Sequence, residues 1–223
     1  MPLKSDLYCD RIDIEKYLPQ DVCKKSCGFT SCKEWLHLLQ KRKAQTASCK
    51  QLTPNLAYAV QVVLSLDGFL PEVGITQHPV SGILGLHKIN QAGPESPVLV
   101  TGNALATQDV LIAILSTTTA PFYLLFVDCL GHTVDMAMAY QTFTAENVRK
   151  AIDQTQLASR VKHRELILPG ITAPIKSDIE AKTGWKAKVG PYCAGELPLF
   201  LGELWRKPQG MRIMEKAIKK PEK

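Results

Sequence analysis

Two hydrophobic rhythms divide the chain. From residue 98 onward, short unbroken apolar runs alternate with stretches of helical period. Val98–Thr101 and Phe122–Asp128 (FYLLFVD) are continuous apolar runs, the pattern of strands buried on both faces, and the second reads as a central parallel strand. Leu166–Leu168, ending at Pro169-Gly170, and Lys186–Val189, ending at Gly190-Pro191, read as two more strands. Residues 104–116, Thr144–Ala158 and Lys176–Thr183 suit helices, with Thr144 as an N-cap and Gly184 as a stop. Val134–Tyr140 fits a strand or a buried segment, and Leu197–Trp205 reads as the last strong helix. This alternation predicts a Rossmann-like three-layer α/β domain over residues 96–205, with helices on both faces of the sheet. Ligands of such sheets bind at the carboxyl ends of the strands. Here those ends are Thr101–Asn103, Asp128–Thr133, Pro169–Thr172 and Gly190–Gly195.

The first part of the chain has no strand rhythm. Residues 1–20 suit a short helix ending at Pro19, and residues 54–66 suit a second helix with Pro54 at its start. Between them stand Cys23, Cys27, Cys32 and Cys49, spaced C-x3-C-x4-C-x16-C. The sixteen-residue insert carries Trp35, Leu38 and Leu39 on one helical face, so it turns the chain back and brings Cys49 toward the loop. Four thiolates suit a tetrahedral zinc or a [4Fe–4S] cluster, and reduced, unliganded thiols are the third possibility. Zinc ribbons usually show two CxxC pairs, which this spacing is not, so the cluster is the favoured reading. Residues 1–66 are therefore expected to form a small helical iron–sulfur module. Residues 67–95, rich in Gly and Pro, read as a linker, and residues 206–223 as a basic tail.

Composition narrows the classes. The 223 residues are 45% hydrophobic and 22% charged, which is globular usage. Val110–Leu130 is the longest apolar stretch, but Ser116, Thr117, Thr118, Thr119, Pro121 and Asp128 interrupt it. A membrane span needs roughly 18–20 apolar residues in succession. The first residues carry acids where a signal peptide needs bases and then an apolar segment, so a cytoplasmic location is expected. Seven cysteines, an odd number, argue against a disulfide framework in that setting. The net charge of +6 sits at the ends, with 10 bases and 6 acids in residues 1–50 and 7 bases and 2 acids in residues 206–223. The segment between is slightly acidic, and basic and aromatic residues do not interleave, so nucleic-acid binding is not expected. No GxGxxG, Walker A or GxSxG motif occurs.

Several blocks together resemble a known family. They are Tyr17-Leu-Pro19 followed by the four cysteines and Pro54, then Ser96-Pro-Val-Leu-Val-Thr-Gly-Asn103, Val127-Asp-Cys-Leu-Gly-His-Thr-Val134, Phe143-Thr-Ala-Glu146, Leu168-Pro-Gly170, Thr183-Gly-Trp185 and Val189-Gly-Pro191. In order and spacing they are similar to the large subunit of corrinoid iron–sulfur proteins, the gamma subunit of acetyl-CoA decarbonylase/synthase. The resemblance covers the family's N-terminal [4Fe–4S] module and, over roughly residues 80–205, its C-terminal cobalamin-binding domain. It departs in three places. Three residues rather than two separate Cys23 from Cys27, residues 67–95 stand where the family carries a TIM barrel, and Tyr140-Gln-Thr142 replaces a small-residue pair.

The resemblance implies a base-off cobalamin without a protein ligand to cobalt, and a low-potential cluster that reduces the cobalt. It implies methyl-group carriage in anaerobic one-carbon metabolism, in company with a methyltransferase or a redox protein. The corrinoid contacts it implies lie in the strand-end loops. Thr101 and Asn103 are expected to hydrogen-bond corrin amides. Gly131, His132 and Thr133 form a turn for the phosphate of the tail. Ala137 and Ala139 leave room for the buried tail, and Gly170, Gly190, Ala194 and Gly195 allow close backbone approach. Two other readings compete. One is an iron–sulfur electron-transfer or activator protein whose α/β domain no longer binds corrinoid, with a bulky or polar side chain filling the tail pocket. The other is a zinc-stabilised interaction module.

Overall fold

The computed structural model describes residues 3–4, 9–19, 28–73 and 79–210. Leu3–Lys4 (β1) and Glu72–Val73 (β2) pair as a short antiparallel ladder. The main sheet contains Gly85–Ile89 (β3), Val98–Gly102 (β4), Phe122–Val127 (β5), Glu165–Leu168 (β6) and Lys186–Val189 (β7), in the order β3-β5-β4-β6-β7. β4 runs parallel to β5 and β6, and β6 runs parallel to β7, while β3 is antiparallel to β5. Leu99 stands level with Leu124 on one side and Ile167 on the other. The central strand is thus β4, and Phe122–Val127 lies one place in from the edge. β3 falls inside the stretch expected to be a linker. Its half-buried residues and its single charge, Lys88, gave it no clear apolar run.

Among the described residues, the α-helices are α1 (Cys32–Gln40), α2 (Pro54–Leu64), α3 (Leu105–Leu115), α4 (Val134–Ala139), α5 (Ala145–Gln154), α6 (Leu157–Arg160), α7 (Lys176–Thr183) and α8 (Leu197–Leu201). Their ends follow local chemistry. Ser31 caps α1 by accepting from the Glu34 N–H, and Thr53 caps α2 by accepting from Leu56, with Pro54 opening the helix. Thr144 caps α5 through the Asn147 N–H at 3.2 Å. Gln156, in the left-handed region at φ 51°, breaks the expected Thr144–Ala158 helix into α5 and α6. Gly202, at φ 50°, ends α8 early, and a single 3-10 turn continues to Leu204. Val134–Tyr140, expected as a strand or a buried segment, is no strand: Val134–Ala139 is a short helix and only partly buried. Helical spacing buries Ala137 and half-buries Val134 and Met138, while Met136 and Tyr140 face outward. Residues 9–19 form two 3-10 turns, Cys9–Arg11 and Glu15–Tyr17, in place of the expected helix.

The sheet separates two apolar layers, as its pleat requires. On one side Phe122, Leu124, Phe126 and Leu99 pack with Val110, Leu111, Ile114 and Leu115 of α3, with α8, and with Trp35, Tyr58, Val62 and Val63 from the first part of the chain. On the other, Tyr123, Leu125, Val127, Val98 and Val100 pack with Val148, Ala151 and Ile152 of α5 and Ile179 of α7. The Ser116–Thr119 run that interrupts the long apolar stretch serves as a polar junction. Tyr58 Oη donates to the Thr117 carbonyl at 2.6 Å, Asn90 donates to the Thr118 carbonyl at 2.8 Å, and the Thr119 N–H donates to the Arg206 carbonyl at 2.9 Å. Among the described residues, no helix is long and apolar enough to cross a membrane.

Candidate functional site

The chain leaves β4 and β6 in opposite directions. α3, after β4, packs on one face of the sheet, and α7, after β6, packs on the other. Such a divergence opens a crevice at the carboxyl ends of the two strands. A cavity of about 260 Å³ occupies that position. Leu99, Val110, Leu124 and Ile167 supply apolar wall, Thr101, Thr107 and Thr133 supply hydroxyls, and Tyr192 stands at its side more than half exposed. Small numbers of polar groups on an apolar wall are the usual constitution of a cofactor pocket.

Of the residues expected to meet a corrinoid, Thr101, Thr133 and Ala194 line this cavity. Gly170 lies between two lining residues, Pro169 and Ile171, and Gly190 precedes a third, Pro191. Asn103 is almost wholly buried, and its Oδ1 accepts from the Cys129 N–H at 2.8 Å and the Gly131 N–H at 3.2 Å. It therefore holds the turn after β5, which leads into Thr133. His132 Nδ1 lies 2.9 Å from the Cys129 carbonyl, and its ring rests 5.1 Å from that of Tyr140. Ala137 is fully buried in the core on the α5 side, and Ala139 is exposed. The glycines serve loop-to-loop packing. A Cβ on Gly131, at φ 75°, would lie 2.6 Å from the Ser81 nitrogen, and one on Gly170 would lie 2.7 Å from the Tyr192 nitrogen. On Gly190 it would lie 2.9 Å from the Leu168 carbonyl oxygen.

Sequence reasoning missed Thr107, Asp135, Ile171, Tyr192 and Leu197, all of which line the cavity. Ala106, Thr107, Val110 and Leu111 share one side of α3, a spacing the helical period shows once the neighbouring strand is known. Cys129 is fully buried, and burial pushes its thiol up to about 12. It stays protonated and serves as a small apolar side chain.

The turn Ala194–Glu196 joins the cavity to the first part of the chain. Ala194 and Leu197 face the cavity. Glu196, buried, accepts from Tyr17 Oη at 2.5 Å and from Lys16 Nζ at 3.2 Å. A Cβ on Gly195 would lie 2.7 Å from Leu66 Cδ1 and 3.3 Å from Ile12 Cδ1, so that residue must be small.

Cys23 and Cys27 lie outside the described residues. Cys32, the first residue of α1, and Cys49 are both buried in the same apolar layer. Trp35 Nε1 donates to Ser48 Oγ at 2.9 Å, and Gln61 Nε2 donates to Thr46 Oγ1 at 2.6 Å. These bonds fold the turn before Cys49 back against α1 and α2. Cys32 at the start of α1 and Cys49 after that turn are the two of the four expected cluster cysteines that lie among the described residues. Among the described residues, no group of three or more His, Cys, Asp or Glu is placed to hold a metal ion.

A mostly parallel, doubly wound α/β sheet with a cavity at its switch point is the class of fold that the strands and helices define. A family model described as CO dehydrogenase/acetyl-CoA synthase delta subunit matches residues 73–201, and the chain belongs to that family. That span contains every residue lining the cavity and none of the four cysteines expected to hold a cluster. The acetyl-CoA decarbonylase/synthase complex subunit gamma of Methanopyrus kandleri is 38% identical over 52% of this chain and 25% of its own length. That of Methanosarcina acetivorans is 31% identical over 66% of the chain and 34% of its own length. The corrinoid/iron-sulfur protein large subunit of Moorella thermoacetica is 35% identical over 64% and 34%. The chain thus matches about a quarter to a third of the length of these relatives.

Proposed function

We propose that the chain is a small corrinoid iron–sulfur protein, in which residues 96–205 bind cobalamin and Cys23, Cys27, Cys32 and Cys49 hold a [4Fe–4S] cluster. The observation that supports this most is the cavity at the carboxyl ends of β4, β6 and β7, which lies within the family-matched span. Its apolar wall, three threonines and exposed Tyr192 suit a flat heteroaromatic group carried on a polar, phosphate-bearing tail. When bound, the corrinoid supplies a cobalt centre able to accept and release a methyl group, and the cluster supplies electrons at low potential. The chain's own residues do the rest. Thr101, Thr107 and Thr133 offer hydrogen bonds, Leu124, Val110 and Ile167 exclude water, and Asn103 holds the β5 turn in place. The names of the relatives support a role within a larger acetyl-CoA-forming assembly with protein partners.

The competing electron-transfer reading requires a side chain that fills the pocket. Tyr140, Gln141 and Thr142 are not among the lining residues, and Tyr140 turns outward beside His132. The test is anaerobic purification, reconstitution with iron and sulfide, addition of cobalamin, and analysis for iron, cobalt and zinc. About four irons with one retained cobalamin per chain is the expected result. Ala106→Phe, which fills the cavity, should abolish cobalt retention and leave the iron unchanged. Iron with no retained cobalamin selects the electron-transfer reading, and zinc alone ends both.

A further inference from the structure

Two of the cysteines outside the expected cluster set meet across the molecule. Cys9 and Cys193 are 184 residues apart in sequence, and their sulfurs lie 3.9 Å apart. We propose that they form an oxidisable thiol pair whose disulfide fastens the N-terminal segment to the wall of the cavity. The pairing does not rest on side-chain placement alone. The same two segments are joined by Tyr17 and Lys16 on Glu196, and by the fit of Gly195 against Ile12. These contacts fix the backbones that present the thiols. Disulfide sulfurs lie about 2.05 Å apart, so forming the bond brings the two sulfurs about 2 Å nearer.

Exposure assigns the order of events. Cys9 is half-buried and open to a small oxidant, and Cys193 is 2% exposed. With glutathione disulfide as oxidant, the Cys9 thiolate attacks one of its sulfurs and releases one glutathione thiolate. The Cys193 thiolate then attacks the Cys9 sulfur of the mixed disulfide and releases the second. The two protein thiols lose two protons and two electrons, and glutathione disulfide takes them up as two molecules of glutathione. The new bond lies one residue from Ala194 in the cavity wall. Oxidation therefore fixes the position of the N-terminal segment relative to the ligand site.

The experiment uses the full chain loaded with iron, held in glutathione mixtures of rising oxidised fraction, quenched with acid, alkylated and digested with trypsin. Mass spectrometry should find residues 5–11 joined to residues 189–206, in rising yield, and the product should vanish in Cys9→Ser and in Cys193→Ser. Cys9→Ser, at a half-exposed position, is expected to fold normally by circular dichroism. Iron content should be unchanged in both variants, which separates this pair from cluster ligands. Tyr17→Phe should lower the equilibrium constant for the bond about five-fold, because the two segments are then held less firmly. The proposal is overturned if Cys193 stays alkylated in every mixture, if Cys9 is found joined to Cys23, Cys27, Cys32 or Cys49, or if Cys9→Ser loses iron.

Discussion

Asn103 sits at a strand end where a polar residue invites reading as a ligand contact. Its amide oxygen instead accepts from two backbone N–H groups of the turn after β5. A side-chain carbonyl that satisfies buried donors leaves each one unpaired when removed, at a cost of about 1–3 kcal/mol. Asn103→Ala should therefore lower stability by about that amount in urea titration, and cobalamin retention should weaken with it. Tyr17 offers a pH-dependent test. Burial first, and then its bond to Glu196, raise its hydroxyl from 10.0 to about 12. The raised value means that this contribution is present below pH 10 and is lost as pH rises toward 12. Urea midpoints measured across that window should fall more steeply for the parent than for Tyr17→Phe. Residue types and strand ends were legible in the sequence. Which way each side chain turns was not, because Asn103 answers to a turn 26 residues further along.

At the scale of elements, periodicity told strands from helices wherever the run was long enough. Phe122–Val127 and Val98–Gly102 match the expected apolar runs, and α7 and β7 match residue for residue. Val134–Tyr140 reads in sequence as a strand or a buried segment, and the helix over Val134–Ala139 is missed because V-D-M-A-M-A is too short for its period to tell the two apart. The packing of α5 on α7 adds a link that no local pattern reveals. Glu146 on α5 pairs with Arg149 at 2.8 Å and with Lys182 of α7 at 3.2 Å. The Arg149 and Lys182 hydrogen bonds hold its carboxyl down at about 2, below the ordinary 4.5. A depressed value gives stability that is present above about 4.5 and lost as pH falls toward 2. Glu146→Gln should flatten the acid limb of the stability curve in that window. The difference should shrink in high salt, since the groups are exposed.

For the whole molecule, the sequence pointed to a helical cysteine-bearing part and an α/β part, and both classes of element are present. What a local pattern cannot show is which faces meet. Leu99, Phe122, Leu124 and Phe126 of the sheet share one apolar layer with Trp35, Tyr58, Val62 and Val63. Tyr58 Oη reaches the Thr117 carbonyl after α3, and Asn55 donates to the Glu203 carbonyl at 2.9 Å. A chain cut to begin at residue 79 would strip that side of part of its cover. Each large apolar side chain returned to water costs about 1.5–3 kcal/mol, and a domain is stable by only about 5–15 kcal/mol. Three or four such exposures are enough to unfold it. The fragment should therefore bind a hydrophobic dye and lose its sharp urea transition, while the full chain keeps both dye exclusion and cooperativity. Tyr58→Phe, which removes one hydrogen bond and no apolar cover, should cost only about 1 kcal/mol. A fragment that unfolds cooperatively at the parent's midpoint would show instead that the α/β part is stable without α1 and α2, and that the shared layer contributes little.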